Sequence, residues 1–378
     1  MYLHSVLKSE IATGIHGSVS DANSLILINE AAREVFSDVD LRSAIRKTAL
    51  APNLFDEIYE YSCPTDLKGT AIIDIKPQVN RESTWLFDLT SQEEFDRIKD
   101  EHGLVAFSEN SLTRKLLISA DIDDDSLTVS GLNSITDSGT WTLYGDGTNL
   151  TTDSDNFVKG SGSINWDISA AGGTTAGIYA SDIDTFDLTD YTQGSIFVWA
   201  YITSATDLTN YIIRIGSSAS NYFTKTVTTT NEGTAFVAGW NLLRFDLASA
   251  TQTGTVDLDA CVYCAIFMTK AVGKISETDY RFDHIIVKNG EFHDLIYYSS
   301  YPFQSSTGTW LQDSTATTDY INCNADELRL VSIKAQELCS VSLENYSDAD
   351  RFASRYKSAV EQYKLKYPSQ AKILITTI

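Results

Sequence analysis

The chain has 378 residues, 43% apolar and 21% charged, an ordinary globular balance with length for two or three domains and no sign of global disorder. Its 28 basic and 51 acidic residues leave a net charge of −23, which excludes a broad nucleic-acid binder and argues against docking on anionic lipid, since both need a basic face. No window reaches the roughly 20 unbroken apolar residues of a membrane helix, the first residues lack a secretory pattern, and five scattered cysteines make no disulfide framework, so the expected place of folding is a reducing cytoplasm.

Composition shifts twice along the chain. Residues 1–120 hold 19 acidic and 12 basic side chains, residues 121–290 hold 21 and 8 and are crowded with Thr, Ser, Gly and aromatics, and residues 291–378 hold 11 and 8. All five prolines (52, 64, 77, 302 and 368) lie outside 78–301. In the first flank, Asp21 is placed to cap a helix carrying Leu25, Ile28, Ala32, Val35 and Phe36 at helical spacing. A short segment follows over 40–50, then the chain turns at Pro52, Pro64 and Pro77. Residues 70–75 and 114–118 read as strands, and Ser91 with Glu94 forms a capping box for a short helix to about Lys99.

In the middle block, β-branched and aromatic runs alternate with turn residues and predict strands near 141–144, 162–168, 176–180, 194–202, 210–216, 221–228, 239–247, 261–268 and 280–288. Short strands with close turns and no helical window point to a sandwich or jelly roll. In the last flank, Asn324 and Glu327 form a capping box before Leu328, Val331, Ala335 and Leu338 on one face. A second helix is expected from Ser347, with Phe352, Tyr356, Ala359, Tyr363 and Tyr367 in a stripe. Two such helices cannot bury both stripes on each other alone, so they are expected to pack on the 25–36 helix or the 71–75 strand. The fold class expected is α+β multidomain: a discontinuous mixed α/β body (1–120 and 291–378) with an inserted all-β jelly-roll sandwich (121–290).

Little in the chain carries chemistry. Cys261 and Cys264 have CxxC spacing, but in a strand residues i and i+3 face opposite ways, so the sulfurs are expected to diverge as packed thiols. Asp121-Ile122-Asp123-Asp124-Asp125 starts like a calcium loop, yet Ser126 and Leu132 stand where an EF-hand needs Gly and Glu, which leaves a solvated linker. The histidines (4, 16, 102, 284 and 293) form no zinc motif, and no nucleophile elbow, P-loop or GxGxxG is present. Glu232 is the one glutamate between 121 and 276, so few carboxylates are at hand for hydrolysis. The reading assigns no catalytic, cofactor-binding or metal residue and expects no enzyme. Trp141, Tyr144, Trp166, Tyr179, Tyr191, Trp199, Tyr201, Tyr211, Tyr222 and Trp240 are dense for one module. Most are expected in the core, with a sugar groove of two or three left open, because aromatic faces suit sugar C–H faces.

Two stretches carry resemblances. Residues 183–202 (IDTFDLTDYTQGSIFVWAYI), 238–247 (AGWNLLRFDL) and 280–290 (YRFDHIIVKNG) resemble carbohydrate-binding, galactose-binding-like jelly rolls. That resemblance implies a glycan as a partner of the β module. It also implies Asp283 as the match to an acidic residue beside a structural calcium, though no metal is assigned. The flanks, in LILINEAAREVFSDVDLRSAIRKTAL (25–50), YSCPTDLKGTAIIDIKPQ (61–78) and YYSSYPFQSSTGTWLQDS (297–314), with the closing helix pair through LKYPSQ (365–370), resemble neck or head-to-tail connector proteins of tailed bacteriophages. This second resemblance implies a virion structural subunit, assembled in the host cytoplasm, that forms a ring with its own copies and meets portal, tail or neck components, with no nucleic acid or membrane as partner. The alternatives are a carbohydrate-binding adhesin and a polysaccharide-degrading enzyme with an accessory module.

Overall fold

In the computed structural model the first long helix spans Asp21–Asp38, and its cap is Ser20, whose hydroxyl accepts the Asn23 N–H at 3.3 Å. Asp21 is therefore the first helical residue instead of the cap. The structure describes residues 2–3, 8–9, 11–12, 20–50, 54–78, 88–99, 103–108, 114–119, 125–169, 172–273, 276–316 and 318–371. The chain divides into two units: Met1–Ala49, Cys63–Ser91 and His293–Ile378 form one, and Leu50–Ser62 with Gln92–Phe292 forms the other.

In the first unit, the buried stripe of the Asp21–Asp38 helix (Ile28, Ala31, Ala32, Val35 and Phe36) shares one core with Leu328, Val331, Ala335 and Cys339 of the helix Ala325–Ser342. The Asn324–Glu327 capping box forms as the spacing predicts. The last helix, Tyr346–Lys366, starts from Asn345 as its cap, two residues before the expected Ser347. Phe352 and Tyr363 are buried, while Tyr356, Ala359, Tyr367 and Leu338 are half-buried against the same core. The 40–50 segment becomes a 3-10 turn, Arg42–Ala44, and a strand, Ile45–Ala49. The strand His293–Ser299 lies antiparallel between Ile45–Ala49 and Leu67–Pro77. Helix, hairpin and sheet thus come from both ends of the chain, because no single flank can cover its own apolar stripe.

The second unit is a sandwich of two antiparallel sheets. One runs Gly147–Asp153, Ser163–Ile168, Glu277–Lys288, Ser195–Ile202, Gly239–Asp246, with Ser126–Ser130 also paired to Glu277–Lys288. The other runs Thr251–Thr253, Asn221–Val227, Leu208–Ser218, Tyr263–Lys270, Thr175–Ala180, Thr142–Gly145. Trp141, Trp166, Tyr211, Tyr280 and Phe245 fill the core between them. Each strand expected from the pattern is present within a few residues. The expected set lacks Ser126–Ser130, Gly147–Asp153 and Thr251–Thr253, short polar strands, of which Thr251–Thr253 is exposed and Gly147–Asp153 half-buried or exposed.

The compositional border at 120/121 is not where the units meet. Residues 92–119 and 50–62 belong with the sandwich. Phe55 meets Phe197 edge-to-face with ring centroids 4.9 Å apart, and the Ser62 hydroxyl donates to the Glu232 carbonyl at 2.6 Å. The helix Gln92–Ile98 and the antiparallel strands Glu60–Ser62, Lys115–Ser119 and Leu104–Phe107 surround a small cluster of Phe95, Ala106 and Leu117. Composition follows the surface, and these contacts are made by a few buried rings that barely alter it. Cutting out 124–288 would therefore strip the cover from Phe55.

Candidate functional site

Strand alternation sorts the ten aromatics noted in the sequence. Trp141, Trp166 and Tyr211 point into the sandwich core, and Tyr191 packs half-buried against it. Trp199, Tyr201 and Trp240 lie half-buried on the strands Ser195–Ile202 and Gly239–Asp246 of the first sheet, with the Arg281 guanidinium 4.9 Å above the Tyr201 ring. Tyr144, Tyr179 and Tyr222 stand on the outer face of the second sheet. There they join Tyr263 and Phe267, which composition did not single out.

That outer face is built by register. Gly177 pairs with both Tyr144 and Phe267 on its neighbouring strands. A Cβ at Gly177 would lie 2.5 Å from the Phe267 Cα, so only glycine lets the two rings close over it. They stack with centroids 4.2 Å apart and planes 15° from parallel, and Tyr179 meets Tyr144 edge-on. Gly216 repeats the device two strands along, opposite both Tyr222 and Tyr263. Arg214 crosses the face: its guanidinium lies 4.9 Å from the Tyr222 ring and 5.1 Å from Phe267, and it donates to the Tyr144 hydroxyl at 3.0 Å. Cation–π contacts hold the planar fork against the rings, so donors not spent on Tyr144 sit beside an apolar floor. Burial pushes the Tyr263 phenol above its ordinary pKa, with Arg214 pulling the other way, so it stays a neutral hydroxyl at neutral pH.

The remaining candidates fall elsewhere. Cys261 and Cys264 enter the same sandwich core, contrary to the expected divergence. The strand begins only at Tyr263, so the alternation rule does not reach back to Cys261. Cys261 donates to the Asp257 carbonyl at 3.3 Å, and burial pushes its thiol up to about 12. Among the described residues no three His, Cys, Asp or Glu side chains gather as a metal site. Asp121–Asp124 lie outside the described residues, as do His4, His16 and His102. Asp125 accepts from the Asn289 side chain at 2.7 Å. Asp283, the acidic match of the jelly-roll resemblance, is buried and spends one oxygen on the backbone N–H groups of Val158 and Lys159 at 2.7 and 2.9 Å. Two N–H donors on that oxygen make it a loop-fixing carboxylate.

No protein-family model matches this chain, and no curated protein matches it. Solved structures do. A family 11 carbohydrate-binding module from Clostridium thermocellum, in complex with a β-1,3-1,4-mixed-linked tetrasaccharide, is 10% identical, with 44% of this chain and 96% of that chain covered and a TM-score of 0.32. A family 30 carbohydrate-binding module of a Clostridium thermocellum cellulase is 11% identical, covering 43% and 98%, with a TM-score of 0.32. A xylanase chain from the same organism, with a carbohydrate-binding module and a catalytic module complexed with xylohexaose, is 13% identical, covering 44% of this chain and 29% of that one, with a TM-score of 0.26. The chain is similar over part of its length to jelly-roll-like carbohydrate-binding modules.

Proposed function

We propose that this chain is a glycan-recognition protein and that the outer face of its second sheet is the binding surface. The observation that carries the reading is the Tyr144–Phe267 stack over Gly177 with Arg214 lying across the rings. Tyr144, Tyr179 and Tyr222, half-buried over the buried Phe267 and Tyr263, offer ring surface for the C–H face of a sugar, and the guanidinium supplies donors for its hydroxyls. The test is affinity electrophoresis of the full chain in gels containing mixed-linkage β-glucan, xylan or arabinan. Retardation by at least one polymer is expected, with Tyr144→Ala and Arg214→Ala each weakening it at least fivefold while the melting curve keeps its shape. Equal mobility in all three gels would count against the reading.

A second reading, compatible with the first, is a structural subunit of a tailed-phage particle. Its support is the resemblance of the flanks to neck and connector proteins. A further observation is the large apolar side chains left exposed on the helices of the flank unit: Ile26 at 59%, Tyr346 at 64% and Leu365 at 86%. Mass photometry of the full chain tests it. A ring-sized species is expected, and a monomer at micromolar concentration would contradict it.

A further inference from the structure

The second unit holds a cleft of about 860 Å³ on the far side of the sandwich from the Tyr144 face. Its floor is the outer face of the first sheet, with Phe197, Trp199, Trp240 and Ile286, and its opposite wall is built by the 57–60 segment, Phe95 and Lys115. The volume falls within the range of small-molecule sites.

Three features mark it as a built site. First, the strand Glu277–Lys288 carries a bulge here: Val198 pairs with Ile285 and Trp199 with Asp283, so His284 is left unpaired. His284 sits at φ +52°, a left-handed conformation unusual for a residue with a side chain, and its imidazole lines the cleft beside Trp199. Burial, then the nearby Lys159 and Lys288, hold its pKa below the ordinary histidine value, so it presents one donor and one acceptor at neutral pH. Second, Trp240 is fixed: its indole N–H donates to Asn156 at 3.1 Å, and its ring meets Tyr201 edge-on. Third, the charges in the walls cancel. Four lysines and four carboxylates line the cleft, and Lys115 lies 2.6 Å from both Glu60 and Glu232, while Lys159 lies 2.6 Å from Glu57. Burial alone would lower the Lys115 pKa, but hydrogen bonds to the two glutamates outweigh it and hold the ammonium charged.

An ion gains nothing from walls of zero net charge, and a purely apolar ligand would leave the polar groups of the wall unsolvated. Indole faces on the floor, and donors and acceptors around the rim, match a ring that is apolar on its faces and hydroxylated at its edge. We infer that the cleft beside Trp199 and His284 is a second binding site, independent of the Tyr144 face, for a short neutral oligosaccharide. Part of its wall comes from segments of the same unit outside the sandwich, so this site depends on the 57–60 segment, Phe95, Lys99 and Lys115 in a way the first face does not.

The two sites can be read separately, because among the described residues the Tyr144 face carries no tryptophan. The experiment titrates the full chain with cellohexaose, xylohexaose, laminarihexaose and mannohexaose and follows tryptophan emission. A saturable change with at least one of the four is expected. The double variant Trp199→Phe/Trp240→Phe should abolish it, His284→Gly should weaken binding at least fivefold, and Arg214→Ala should leave it intact. Glycine accepts φ +52° without strain, so His284→Gly is expected to fold, which a melting curve verifies. An absent response to all four sugars, a response that survives loss of both Trp199 and Trp240, or one lost in Arg214→Ala would each overturn the inference.

Discussion

Replacing Glu327 by alanine should destabilise the flank unit by about 3–6 kcal/mol. The side chain is fully buried. One carboxylate oxygen accepts the Asn324 N–H at 2.8 Å and closes the capping box; the other accepts the Tyr363 hydroxyl at 2.7 Å and the Ser43 N–H at 3.2 Å. Tyr363 in turn accepts the Arg42 N–H at 3.0 Å. One carboxylate therefore ties together a helix start, the last helix and the turn before the Ile45–Ala49 strand. Alanine leaves three donors without an acceptor, each costing about 1–3 kcal/mol when buried, less what entering water recovers. Glu327→Gln keeps the shape but turns a nitrogen toward N–H or O–H donors, and should cost about 2 kcal/mol; Tyr363→Phe removes one donor and one acceptor and should cost about 1–2 kcal/mol. Urea unfolding followed by circular dichroism at 222 nm reports this unit, since the long helices belong to it. A loss below about 1 kcal/mol for Glu327→Ala, or a glutamine variant identical to the parent, would refute the argument.

Gly177→Val should unfold the second sheet locally and cost more than about 2 kcal/mol by overpacking, read as a lower melting temperature with loss of polymer binding, because a Cβ there would lie 2.3 Å from the Ile266 carbonyl. In the native chain, Ellman's reagent should find one fast thiol, Cys63, and four slow ones, since Cys261, Cys264, Cys323 and Cys339 are buried; two or more fast thiols would contradict the packing. Cys264→Ala should act through packing alone, and metal analysis should find no stoichiometric zinc in the parent protein. His284 should titrate below the ordinary histidine value by NMR. Its folded pKa is depressed, so its contribution is complete above the unfolded value of about 6.5 and is lost as pH falls through the folded value. Relative to the parent, His284→Gly should therefore gain stability between pH 7 and pH 5.

The sandwich strands were legible because β-branched and aromatic runs stand between turn residues, and the helices because Ser91, Asn324 and Glu327 announce their starts. The aromatic face was half legible. Tyr144, Tyr179 and Tyr222 stood out, but Phe267 and Tyr263 sit in an unbroken buried run from Tyr263 to Met268, where the pattern gives no inward or outward sign. Gly177 and Gly216 carry the clearest local signal, isolated glycines inside strand runs, which mark a close approach. The cleft had no such signal. His284 looks like any strand residue until the partner strand's register reveals the bulge, and Lys115 lies 117 positions from Glu232. The misplaced border at 120 has the same origin, since Phe55 and Phe197 are joined only by folding.

The path of the chain has a consequence for synthesis on the ribosome. The peptide passes between the two units at 49/50, 62/63, 91/92 and 292/293. The sandwich unit is complete once Phe292 has emerged, whereas the strands Ile45–Ala49 and Leu67–Pro77 must wait for His293–Ser299, their shared central partner. About 215 residues separate Pro77 from His293, so at the usual pace of translation the earliest strands stand unpaired for roughly 10–40 s. Both carry charge along their length, Arg46 and Lys47 in one and Lys68, Asp74 and Lys76 in the other, which deters nascent chains on one messenger from joining edge to edge. The first strands made are among the last to be locked in place, and a translation stall shortly before residue 293 would leave a finished sandwich on the same chain as an unfinished flank unit.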